Sequence, residues 1–89
     1  MKEVIQSVIQ REITKGCVFD AHAIIEYLLK NESDTYLSSY NNEKTTEIYH
    51  SVISKTIASF EGSIIERTGE SWSMNIHKEF SKNLCWKKL

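Results

Sequence analysis

Proline is absent from the 89 residues, which removes ring-induced helix breaks, cis turns and polyproline segments from consideration. Glycine occurs three times, so Gly16, Gly62 and Gly69 share the punctuation of the chain with side-chain caps. Two cysteines, Cys17 and Cys85, are too few for a secreted disulfide scaffold, and each reads as a small apolar residue in or near the core. Neither sign of charge dominates: eleven basic and twelve acidic residues leave a net charge of -1. No global positive field therefore advertises a polyanion partner. No apolar run approaches the ~20 residues of a membrane span. Glu3, Gln6, Gln10, Arg11 and Glu12 interrupt the N-terminal apolar pairs, which a signal sequence would not allow. The expectation is a cytoplasmic chain with no membrane partner.

What is present suffices for folding. Hydrophobic residues make up 40% of the chain and charged residues 26%, well clear of disordered composition. The length allows one domain, 1–89, whose core is a single thin layer, because a chain this short buries only about 60% of its extended surface.

Val4, Ile5, Val8, Ile9 and Ile13 recur at helical spacing, which predicts an amphipathic helix over 2 to about 15, stopped by Gly16. Cys17–Phe19 reads as one short strand. Asp20 is a good N-cap for a second helix through Lys30, whose apolar set is Ala21, Ile24, Ile25, Leu28 and Leu29. A polar break follows, with a short turn through Thr35–Tyr40, and Asn41 and Asn42 interrupt again. A third long helix begins near Thr45, with Ile48, Tyr49, Val52, Ile53, Ile57 and Phe60 inward, and Gly62 is placed for a C-terminal cap. After Gly62 the period becomes two. Ser63–Thr68 and Ser71–Ile76 flank Gly69-Glu70, which predicts a hairpin turning there, with Trp72 packed beneath it. From His77 onward no clean period remains, so 77–89 is expected to be a basic tail packed on or extending from the body. The fold class expected is α+β, mainly helical: three long helices, a short strand and a C-terminal β-hairpin.

Charge is unevenly placed. Residues 1–42 hold four basic and six acidic side chains, 43–89 seven and six. Lys78, Lys82, Lys87 and Lys88 face only Glu79 in the tail. Tyr36 and Tyr40, beside the polar break, are the expected exposed aromatic pair.

Chemical motifs are missing. No CxxC, HxxxH or HExxH pairs two metal ligands locally, no GxSxG turn presents any of the eleven serines, and the glycines are isolated. Glu43 and Glu47 share a helix face where they serve solubility. The expectation is no catalytic residue, metal, cofactor or small-molecule substrate. His22 falls in the first turn of the second helix with no ligand role.

The order helix, short strand, helix, short turn, helix, hairpin resembles the winged helix-turn-helix family, over roughly residues 2–76. The resemblance implies that Cys17–Phe19 is the first strand, Asp20–Lys30 the second helix, Thr45–Phe60 the recognition helix and Ser63–Ile76 the wing. It implies a DNA-binding regulator. On that reading Glu47, His50, Ser51, Ser54 and Lys55 form the outward face of the recognition helix. The N–H groups near Thr46 take a phosphate, and Arg67, Lys87 and Lys88 contact further phosphates. Glu66 and Glu70 on the hairpin weigh against double-stranded DNA, which draws its affinity from several Lys and Arg contacts. The alternative is a non-enzymatic protein-interaction or homodimerisation module. A continuous positive face would favour DNA; a mixed-charge surface with an exposed apolar patch would favour protein.

Overall fold

Helix α1 (Lys2–Glu12) buries Ile5, Val8 and Ile9, a single i, i+3, i+4 stripe. It ends at Glu12, earlier than the apolar pattern suggests, because Ile13 is already extended. The computed structural model describes residues 1–40 and 43–89; the expected break at Asn41 and Asn42 lies outside the described residues. Strand β1 (Val18–Asp20) leads directly into helix α2 (Ala21–Asn31), where the Asp20 carboxylate accepts a hydrogen bond from the Ala23 N–H at 2.9 Å. Ala21, Ile24, Ile25 and Leu28 face the core. A six-residue helix α3 (Ser33–Ser38) stands where a turn was expected. Helix α4 (Thr46–Ala58) is capped by the Thr45 hydroxyl, which accepts from the Ile48 N–H at 3.2 Å. Over the described residues the chain is thus α+β, with four helices and a three-stranded antiparallel sheet.

The inward set expected of α4 holds for Tyr49, Ile53, Ile57 and Phe60 but not for Ile48 and Val52. Its buried stripe is Tyr49, Ile53 and Ile57, continued by Phe60, while Ile48 and Val52 are about half exposed. Both sets have four-residue spacing, so either satisfies the helical period. Packing against α1 and α2 selects the first.

The hairpin is also displaced. Strand β2 (Ile65–Met74) runs straight through Gly69-Glu70, and β3 (Phe80–Lys88) occupies the supposed tail. The reversal lies at 75–79. There the Asn75 side-chain oxygen accepts from the N–H groups of His77 (2.8 Å) and Glu79 (3.2 Å), and Lys78 takes a left-handed φ of 67°. This is a side-chain-built turn. Gly69, with φ 139°, instead serves a β-bulge, where the register against β3 shifts between Arg67 and Gly69.

Sheet order is β1-β3-β2, so the expected tail is the central strand. Phe19 pairs with Trp86 across β1 and β3, their rings 5.8 Å apart. Trp86 is fully buried among Ile5, Ile9, Ile24, Leu28, Ile53, Ile57 and Ile65. Burying each such aliphatic chain stabilises the fold by about 1.5–3 kcal/mol over exposure.

Candidate functional site

The burial of Tyr49, Ile53 and Ile57 on α4 decides where its polar side chains go. Glu47, His50, Ser51 and Ser54 line an open groove of about 330 Å³ together with His22 of α2 and Glu70, Lys82 and Asn83 of the hairpin. The structure therefore brings four of the expected contact residues together. It does not make their groove positive: Glu47 and Glu70 face Lys82, which sits 3.9 Å from Glu70.

His50 is half-buried, not a freely solvated outward residue. Its Nε2 lies 2.7 Å from the Tyr36 hydroxyl, and burial, reinforced by His77 and His22, lowers its pKa against the opposing effect of Glu47. Tyr36 is itself buried beneath Tyr49, whose hydroxyl donates to the Tyr36 carbonyl. Tyr40 is half-buried and packs edge-on against Tyr49 at 4.9 Å. The expected exposed tyrosine pair is thus part of the core. Burial, with Tyr36 adding to it, pushes the Tyr49 phenol up to about 12.

A second polar layer joins α2 to the hairpin. His22 Nδ1 lies 2.7 Å from Ser73 Oγ, and its Nε2 lies 3.4 Å from Ser81 Oγ. The His22 backbone N–H donates to Asn83 Oδ1, and the Ser71 hydroxyl donates to Asp20. Burial pushes the Asp20 carboxyl up, but hydrogen bonds from Ser73, the Ala23 N–H and Ser71 outweigh it and leave it below the usual range. With both ring nitrogens of His22 against serines, the layer serves to bind the hairpin to α2. Among the described residues no three His, Cys, Asp or Glu side chains gather as a metal site. Cys17 is exposed and Cys85 half-buried, both as free thiols, so Cys17 does not join the core.

The expected phosphate-contacting cations are mostly engaged within the chain. Arg67 Nε lies 2.8 Å from Glu61 Oε2, and Lys87 lies 3.3 Å from Glu66. Lys88 Nζ donates to the carbonyl oxygens of Ile9, Gln10 and Ile13 at 3.2–3.3 Å, closing the end of α1. Lys55 is exposed and makes no ion pair among the described residues, and Thr46 sits half-buried in the first turn of α4.

Sequence reasoning missed the most distinctive surface. Trp72 pairs with Lys82 and Met74 with Phe80 across the hairpin, so all four side chains share one face. Trp72 is 68%, Met74 45% and Phe80 67% exposed. The opposite face holds Ser71, Ser73, Ser81 and Asn83, which meet α2 through the polar layer. The alternation of Trp72, Met74 and Ile76 was legible, but its apolar side was assigned inward, and Phe80 had no strand to belong to until the turn was placed at 75–79. Comparison of the chain with protein-family models, curated proteins and solved structures finds no match.

Proposed function

We propose that this chain is a non-enzymatic protein-interaction module on a winged-helix-like frame, with the β2–β3 hairpin as the contacting wing. The frame is supported by the element order and by β1 joining the hairpin sheet beside β3. The observation that carries the function is the exposed face of Trp72, Met74 and Phe80, set among Glu70, Lys78, Glu79 and Lys82. Aromatic side chains open to solvent within a rim of both charge signs have the composition of a protein interface, where aromatics and methionine are enriched and one-signed charge is not. Desolvating Trp72 and Phe80 supplies the favourable free energy, and the mixed rim gives orientation.

A second reading, DNA binding through α4, is favoured by the exposed Ser51 and Lys55 on a helix that runs between α3 and the hairpin. It lacks a positive groove. A photo-crosslinking amino acid in place of Trp72, introduced in the producing cell, separates the two. Protein adducts are expected. Nucleic-acid adducts alone, together with duplex binding that weakens steeply with salt and on Lys55→Ala, would replace the protein reading with the DNA one.

A further inference from the structure

We propose that the occupant of this face is a second copy of the chain, joined by antiparallel pairing of β2 edges around a two-fold axis. This rests on the interaction-module reading and names its partner. β2 is the longer of the two edge strands of the sheet, and among the described residues only a bridge from Glu61 to Ile65 touches its outer side. Exposed edges invite pairing, and proteins usually guard them with charge, proline or a bulge. Here the guards occupy one half: Glu66, Arg67, Glu70 and the bulge before Gly69. Ser71–Met74 has none of them, and that same stretch carries Trp72 and Met74 with Phe80 opposite Met74. The unguarded edge and the exposed apolar face coincide.

Three properties single out a second copy. A strand edge offers alternating donors and acceptors, so an antiparallel copy of itself satisfies it under two-fold symmetry. The rim carries both signs, Glu70 and Glu79 with Lys78 and Lys82, so no one-signed field repels a copy, and a net charge of -1 adds little repulsion. Side-chain placement fits as well. In an antiparallel pair of β2 edges Trp72 and Met74 of the two copies become cross-strand neighbours on one face, with Phe80 one strand further in. The contact is small beside the ~1,000 Å² of a stable specific interface, so association is concentration-dependent.

Sedimentation of the full chain from micromolar to millimolar concentration tests this. The expected result is a rise from the 10.3 kDa monomer toward twice that mass. Trp72→Lys, which places a guarding charge on the open edge, should weaken association at least about tenfold. Leu37→Ser, at a 65% exposed site on α3, should leave it unchanged. Circular dichroism at low concentration checks that both variants fold, and Phe80→Ser provides a second probe of the face. A wild-type monomer throughout, or a dimer indifferent to both Trp72→Lys and Phe80→Ser, overturns the proposal. If the monomer persists while position 72 crosslinks a different protein, the self-pairing fails and the interaction-module reading stands; if nothing crosslinks either, both fall.

Discussion

The indole N–H of Trp86 donates to Glu61 at 2.7 Å, so the largest fully buried side chain of the protein is anchored by a carboxylate just beyond α4. The same carboxylate oxygen lies 2.8 Å from Arg67 Nε, tying α4's exit, β2 and β3 to one point. Glu61→Ala leaves the indole donor without its partner and is expected to cost about 1–3 kcal/mol in urea unfolding. Glu61→Gln keeps an acceptor and should cost less. The bond from Trp86, then that from Arg67, holds the Glu61 carboxyl below its ordinary value despite some desolvation. A lowered carboxyl pKa stabilises the fold above the unfolded value near 4.5, and that contribution is lost as pH falls through the folded value. Glu61→Gln should therefore flatten the acid limb of the stability curve, and an unchanged limb would count against this anchor.

Lys88, two residues beyond Trp86 along β3, holds the end of α1. Its ammonium meets the carbonyl groups of Ile9, Gln10 and Ile13 at the C-terminal end of α1, where the helix dipole also favours a cation. Lys88→Met keeps the stem but removes the donors, and a loss of about 1–3 kcal/mol in thermal or denaturant unfolding is expected. Lys87→Met, on an exposed pair with Glu66, should cost under about 1 kcal/mol. Equal effects from the two variants would contradict the assignment.

The two tryptophans should behave as opposites. Trp86→Ala empties a fully buried site and is expected to cost about 3–5 kcal/mol, enough to unfold a small domain. Trp72→Ser removes a side chain that is 68% exposed and should change stability by no more than about 0.5 kcal/mol in the monomer. Fluorescence of the Trp72→Ser protein should report a single buried, blue-shifted indole.

His50 supplies a pH test with its own sign. Burial lowers its pKa from 6.5, so below that value the unfolded chain binds more protons than the folded one. Stability is then full above the unfolded value and declines as pH falls from about 6.5 through the lower folded value. Glu47 opposes the shift, while His77 and His22 add to it. An NMR titration should place the His50 midpoint below 6.5, and His50→Gln should remove that part of the decline. A midpoint above 6.5 would contradict the buried environment.

Gly69 tests the bulge. Its φ of 139° is one that side chains rarely adopt, although a Cβ there would meet nothing within 4 Å. Gly69→Ala should therefore destabilise by about 1 kcal/mol or more through backbone strain alone. A neutral result would mean that β2 relaxes its bulge without cost.

Local rules sufficed for three of the four described helices and for the starts of α2 and α4, though not for α3 or for where α1 ends. Asp20 and Thr45 each bind an N–H three residues on, and the apolar stripes of α1 and α2 need only the helical period, so both are written in contiguous sequence. The same rules put Ile48 and Val52 inward together with Tyr49, Ile53 and Ile57, because narrowing that stripe takes neighbours from α1 and α2. They also placed the hairpin turn at Gly69-Glu70. Gly69-Glu70 has the local chemistry of a turn, yet a strand reversal is settled by what pairs across it. Only β3 lying between β1 and β2 places Trp86 over the core, which moves the turn to Asn75 and leaves Gly69 to the bulge. That one non-local choice turned the expected basic tail into the central strand, gave Lys88 to α1, and put Trp72, Met74 and Phe80 into solvent. Composition determined that neither sign of charge would dominate and that no proline would shape or guard a strand; tertiary packing decided which edge and which aromatic face were left open.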